Sequence, residues 1–222
     1  MSGGRRYDAL LLDFDGTLAN TLPLFESTLD QLVAEFALRP LPTRNLQAIR
    51  ALGTRELIAA LGLRWWRVPA ATARMRALVA AQRHRIGLFD GIAPVLQQLR
   101  AHGVQLQVVT SNGQATVEAV LGPELLPLFT QLHCQVPLLG KRRALARACK
   151  ATGCVPARVL SVGDEVRDAV ASQALGLDFA AVAWGMGLPE QLQAHARLLL
   201  PDPGALLDCV LGASRGQSAQ AG

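Results

Sequence analysis

Leu10-Leu11-Leu12-Asp13-Phe14-Asp15-Gly16-Thr17 decides how the rest of the chain is read. Its apolar run ends in two carboxylates one residue apart. A continuous run, rather than an alternating one, predicts a strand buried on both faces, as at the centre of a parallel sheet. Sites in such sheets open at the carboxyl ends of strands, where Asp13 and Asp15 fall. Side chains two apart on a strand point the same way, so both carboxylates face one pocket if the strand continues through them. Two acids held together repel, and they need a cation or a shared proton.

Downstream, the segment from about Thr21 to Leu88 lacks any strand-like run. Its patterns predict helices at Leu22–Phe36, Thr43–Leu52, Thr54–Leu61 and Pro69–Arg85, separated by Pro40, Pro42 and Gly53. This block reads as a helical insertion, residues 20–87, with hinges near Ala19-Asn20 and Gly87-Leu88. Strands and helices then alternate. Strands are predicted at Val104–Val109, Leu132–Val136, Val159–Val162, Phe179–Val182 and Leu198–Leu200. Helices are predicted at Pro94–His102, Gln114–Leu121 (stopped by Gly122-Pro123), Lys141–Thr152, Val166–Leu175 and from Pro201 to about Leu211. The alternation predicts an α/β fold with a parallel sheet and helices on both faces, built from residues 1–19 and 88–211. Residues 212–222 are small and polar, and are expected to be disordered.

Composition narrows the function classes. No apolar run approaches the roughly 20 residues of a membrane span, and the N-terminus has no apolar signal core. Four cysteines without a CxxC pair predict reduced thiols and a cytoplasmic protein. The net charge of +5 comes almost wholly from arginine, with only two lysines, Lys141 and Lys150. Without a lysine-arginine block, neither nucleic acid nor membrane is expected as a partner.

Two other strands also end in polar groups, Thr110-Ser111-Asn112 and Asp164 with Asp168. In a parallel sheet these ends share an edge with Asp13 and Asp15. Four carboxylates gathered there repel strongly without a metal, and hard oxygen ligands suit Mg²⁺. Thr110 precedes the next helix by too many residues to cap it, which favours a phosphate-holding role; Asn112 fits a cap. Lys141 opens a helix, where a cation opposes the dipole. There it offers a point charge able to offset carboxylates and a phosphate together. These residue types point to Mg²⁺-dependent phosphoryl transfer.

The set resembles the motifs of the haloacid dehalogenase superfamily, in its phosphoglycolate-phosphatase and β-phosphoglucomutase branch. DxDGT stands as Asp13-Phe14-Asp15-Gly16-Thr17, the strand ending in Thr as Val108-Val109-Thr110, the lysine as Lys141, and GDxxxD as Gly163-Asp164-Glu165-Val166-Arg167-Asp168. The resemblance implies a Rossmann-like three-layer core with an inserted helical cap. It implies Asp13 as nucleophile forming an aspartyl-phosphate and Asp15 as general acid and base. Mg²⁺ would be held by Asp13, the Asp15 backbone carbonyl and Asp164, with Asp168 in support. Thr110 and Lys141 would hold the phosphoryl group, with Ser111 and Asn112 beside them. The implied substrate is a small phosphorylated metabolite. A phosphomutase is the alternative; a phosphoacceptor signalling module and a noncatalytic binding protein are more distant. Asp15 argues against carbon-halide chemistry, and the absence of any lysine before Lys141 argues against a cap Schiff base. Arg50 and Arg55, near the Gly53-Thr54 junction, are the candidates for a second anionic group on the substrate. Trp65-Trp66 is expected in the cap core. Glu165 stands where many relatives carry Ser or Thr; it is expected to point outward and is given no role.

Overall fold

The structure is a computed structural model and describes residues 5–41, 43, 48–49 and 51–212. Strand β1 (Ala9–Leu12) lies at the centre of a six-stranded parallel sheet. It is flanked by β4 (Gln105–Val109) and β6 (Val159–Gly163). Beyond β4 lies β5 (Phe129–His133), and beyond β6 lie β7 (Asp178–Val182) and β8 (Leu198–Leu200). Leu10 and Leu12 enter one apolar cluster, while Ala9 and Leu11 enter the other. That is why the run is continuously apolar: both faces of β1 are covered. Each leucine is at most 1% exposed, and burying each stabilises the fold by about 1.5–3 kcal/mol.

Helices α4 (Ile92–Ala101), α5 (Gln114–Leu125) and α9 (Gly204–Leu211) cover one face through residues such as Leu96, Val117 and Leu206. Helices α6 (Lys141–Thr152) and α7 (Val166–Gln173) cover the other through Leu145, Ala148 and Ala171. The short α8 (Pro189–Gln193) seats Leu192 against Phe179. The result is a three-layer α/β/α fold.

Two short strands, β2 (Ala19–Asn20) and β3 (Gly87–Leu88), pair antiparallel with Ala19 opposite Leu88. Between them run α1 (Leu22–Phe36), α2 (Thr54–Ala60) and α3 (Val68–Ala81). These helices have an apolar cluster of their own, including Leu29, Leu32, Leu61 and Ala71.

Some elements depart from expectation. The strand expected at Leu132–Val136 lies three residues earlier, at β5, where Val109 pairs with His133. β5 is a sheet edge with exposed Thr130 and Gln131, so its apolar signal is weak, and Val136 is buried beyond its end. Gly122, at φ 64 and ψ 178, interrupts α5, and a short helical turn follows. Trp65 and Trp66 do not enter the core; they are 79% and 55% exposed and contact each other edge to face. The helix expected at Thr43–Leu52 lies mostly outside the described residues, although Ala48 and Ile49 are helical. Residues 213–222 also lie outside them. Among the described residues no helix is long and apolar enough to cross a membrane. All four cysteines are free.

Candidate active site

Register brings the polar groups together. Leu12 pairs with Val108 on one side and Val162 on the other. Asp13, Thr110 and Asp164 therefore follow adjacent strand ends within two residues of the same level. β1 itself stops at Leu12, so the two aspartates do not share a strand face. The Phe14 carbonyl accepts from the N–H groups of Leu18 at 3.0 Å and Ala19 at 2.8 Å, which folds residues 15–17 into a turn. Gly16 takes φ 72 there, in the left-handed region open to glycine. The turn gives Asp13 and Asp15 different surroundings.

Asp13 is buried. Its Oδ1 accepts from the Phe14 N–H at 2.9 Å and lies 2.8 Å from Lys141 Nζ. Lys141 Nζ also lies 3.0 Å from Asp168 Oδ1 and donates to the Val109 carbonyl at 2.9 Å. These three acceptors offset the unfavourable placement of a cation at the start of α6. Burial lowers the Lys141 pKa, but Asp13 and Asp168 outweigh it and leave the pKa raised.

Carboxylate oxygens of Asp13, Asp164 and Asp168 lie within 4.8 Å of one another. Asp164 accepts from Thr17 Oγ1 at 3.2 Å and the Met186 N–H at 2.7 Å. Asp168 has Lys141 beside it, but neither of its buried oxygens receives an aligned hydrogen bond. Burial pushes the Asp13 pKa up to about 7, against the opposing pull of Lys141. Burial raises Asp164 as well, followed by the charges of Glu165, Asp13 and Asp168. Three buried acids, with unpartnered oxygens on one of them, fit a hard divalent cation such as Mg²⁺.

The Asp15 carboxylate stands outside this triad. Its Oδ2 accepts from Thr110 Oγ1 at 3.4 Å and its Oδ1 from Asn112 Nδ2 at 3.1 Å. Burial raises its pKa, opposed first by the Asn112 hydrogen bond and then by Thr21, Arg167 and Thr110. The N-cap of α5 is Gly113 rather than Asn112. Asn112 instead links Asp15 to the strand end, its N–H donating to Thr110 Oγ1 at 2.9 Å.

A cavity of about 330 Å³ lies between helices α1–α3 and the sheet edge. Asp15, Ser111 and Asn112 line its polar end, and leucines of α1 and α2 line much of the rest. Asp13, Thr110, Lys141, Asp164 and Asp168 are buried and do not line it; Thr110 lies on Asp15, while Asp13, Asp164 and Asp168 gather with Lys141. Arg55 is exposed on α2 and is not part of the lining. Arg50 lies outside the described residues.

The structure adds residues that the sequence did not single out. Glu165 turns into the cavity instead of outward, together with Arg167. From α3, Arg76 reaches across the cavity, its Nε donating to the Ser111 carbonyl at 2.6 Å. The segment Trp184-Gly185-Met186-Gly187 wraps Asp164. A Cβ on Gly16, Gly185 or Gly187 would overlap Asp164 atoms. Two glycines placed just past β7, at the sheet's carboxyl edge, are the sequence signal for that wrap.

The haloacid dehalogenase-like hydrolase family matches residues 10–182. A phosphoglycolate phosphatase of Synechococcus elongatus is 33% identical over 204 residues, covering 91% of this chain and 96% of its own. An N-acetylmuramic acid 6-phosphate phosphatase of Pseudomonas aeruginosa is 29% identical, covering 91% and 94%. In fold, a solved Clostridium acetobutylicum structure superposes with a TM-score of 0.80 at 18% identity, covering 93% of this chain and 99% of that one. The chain therefore belongs to the haloacid dehalogenase-like hydrolases, as an enzyme of their phosphoglycolate-phosphatase-like branch.

Proposed function

We propose that the protein is a Mg²⁺-dependent phosphatase that hydrolyses a small phosphorylated metabolite through an aspartyl-phosphate on Asp13. The observation that carries this reading is the separation of the two aspartates. Asp13 sits with the acidic triad and Lys141. Asp15 sits apart on Thr110 and Asn112, with its pKa raised by burial. A nucleophile needs neighbouring positive charge, and a general acid needs a proton near neutral pH.

Both donors to Asp13 fall on Oδ1, which leaves Oδ2 to attack phosphorus. As the Asp13–phosphorus bond forms, the bond from phosphorus to the leaving oxygen breaks, and Asp15 gives that oxygen its proton. Asp15, now ionised, takes a proton from water. The water oxygen then bonds phosphorus, the Asp13–phosphorus bond breaks, and inorganic phosphate leaves. Lys141 offsets the negative charge of the phosphoryl group throughout. Mg²⁺ held by Asp13, Asp164 and Asp168 would supply further charge neutralisation at the same group.

In this reading residues 1–19 and 88–211 form the core, and residues 20–87 form a cap that opens to admit substrate and closes to exclude water. The Arg76 bond to the Ser111 carbonyl is one contact that opening breaks. The test is phosphate release from a panel of phosphorylated acids, sugars and nucleotides, with and without Mg²⁺. Mg²⁺-dependent release from one small monoester is expected. Interconversion of sugar phosphates without release would indicate a mutase, and no turnover would overturn both.

A further inference from the structure

Asp15 lines the cavity and Asp13 does not. In the proposed reaction Asp13 bonds phosphorus and Asp15 protonates the leaving oxygen. The leaving oxygen therefore stands at the mouth of the cavity, and what it carries extends inward, beneath helices α1–α3. The lining of that space decides which leaving groups fit.

The charged groups of the wall stand beside the sheet edge, and each already has a partner. Arg76 donates to the Ser111 carbonyl at 2.6 Å. Arg167 Nη2 donates to Glu165 Oε1 at 2.9 Å, and Glu165 Oε2 accepts from Thr54 Oγ1 at 3.2 Å. Among the described residues, no charged side chain other than these and Asp15 lines the cavity. Deeper in, the wall is hydrocarbon: Phe25, Leu29 and Leu32 from α1, Leu57 and Ile58 from α2, and Met75 from α3. Thr28 and Thr72 interrupt it, but their hydroxyls turn back on their own helices. Thr28 donates to the Leu24 carbonyl at 2.6 Å and Thr72 to the Val68 carbonyl at 2.8 Å.

A sugar or an acid placed against this wall loses its water and gains few partners in return. The volume of about 330 Å³ lies within the range of small-molecule pockets, roughly 300–1,000 Å³. A leaving group of only a few atoms leaves most of it unfilled. Apolar voids hold hydrocarbon in preference to water, and the flexible Met75 side chain can adapt to its shape.

We infer that the cavity takes an apolar leaving group, so that the substrate is a phosphate monoester of an alcohol with a hydrocarbon body. The phosphate lies at Asp13 and Asp15, and the hydrocarbon lies among α1, α2 and α3. The inference rests on the phosphatase reading and adds to it the class of the leaving group.

The test uses the full chain with Mg²⁺ and the monophosphates of ethanol, butanol, hexanol and benzyl alcohol. The polar comparisons are 2-phosphoglycolate and glucose 6-phosphate. Unbranched alcohols leave with nearly equal intrinsic ease, so differences within that series report burial of the chain. From ethyl to hexyl, kcat/KM is expected to rise about two- to fourfold per added CH₂, and hexyl or benzyl phosphate is expected to exceed both polar esters. The better of those two distinguishes a chain from a ring. Met75→Gln, nearly unchanged in volume, is expected to cut the hexyl-to-ethyl ratio of kcat/KM by about tenfold. Thermal unfolding is measured on the variant, and Ile58→Gln, on another helix, replaces it if it fails to fold. A flat chain-length series, a polar ester preferred over both hexyl and benzyl phosphate, or an unchanged ratio in the folded variant would each overturn the inference and leave the phosphatase reading standing. If wild type releases phosphate from none of these, nor from p-nitrophenyl phosphate, the phosphatase reading itself falls and takes the inference with it.

Discussion

Lys141 Nζ lies 2.8 Å from Asp13 Oδ1, joining the first residue of α6 to the first residue beyond β1. Both side chains are nearly buried, at 8% and 4% exposure. Removing one partner leaves the other charge without compensation, which costs about 3–5 kcal/mol for a buried pair. Lys141→Ala is expected to lower the urea midpoint of the metal-free protein. Its kcat is expected to fall by about 10²–10³, as for other losses of transition-state charge stabilisation. Near-normal turnover in this variant would remove Lys141 from the proposed machinery.

Asp13 sets a pH dependence in the metal-free protein. Burial raises its pKa from 3.8 to about 7. The folded form then retains a proton that the unfolded form gives up. The stabilising contribution is fully present below 3.8 and is lost as the pH rises through about 7. Asp164, also raised, acts in the same direction. In chelator, the thermal midpoint of wild type is expected to fall relative to Asp13→Asn across that window. Parallel curves for the two proteins would contradict the raised pKa. The same variant is expected to lose p-nitrophenyl phosphate hydrolysis while remaining folded.

Asp15→Asn separates metal binding from proton transfer. The Asp15 carboxylate lies outside the acidic triad, so calorimetry with Mg²⁺ is expected to give an affinity close to wild type. Turnover is expected to drop by about 10²–10⁴, the usual contribution of a general acid. A large loss of Mg²⁺ affinity would show that Asp15 acts through the metal.

Gly16→Ala tests the packing of the site. Gly16 has a positive φ, and an added Cβ would overlap the Asp164 carboxylate. The variant is expected to fold less stably and to lose Mg²⁺ affinity, because Asp164 must move away from Asp13 and Asp168. Unchanged affinity by calorimetry would mean that the turn has more freedom than its geometry indicates.

Much of the core is legible in the sequence because burial on both faces leaves β1 uniformly apolar and the register at Leu12 aligns its neighbours. β5 is less legible because an edge strand half open to water carries mixed residues. The split between Asp13 and Asp15 depends on a turn begun by the Phe14 carbonyl, and strand periodicity carries no sign of where it begins. Glu165 and Arg167 read as ordinary solvated charges at a helix start. Only the placement of α2, which brings Thr54 over the sheet edge, shows them facing inward. The exposure of Trp65 and Trp66 runs against their hydrophobicity, and nothing in the structure explains it.

The pairing of Ala19 with Leu88 bears on modularity. The chain leaves the sheet layer and returns to it at neighbouring, hydrogen-bonded positions. The intervening helices carry an apolar cluster of their own, while Leu24 and Ile86 of the same segment join the cluster that covers one face of β1. A short turn joining residues 19 and 88 would close the sheet layer on itself but remove Leu24 and Ile86 from that cluster. In the two-domain reading, the chemistry of the strand ends and the shape of what covers them meet at this two-residue seam, tied across it by Leu24, Ile86 and the Thr54–Glu165 contact.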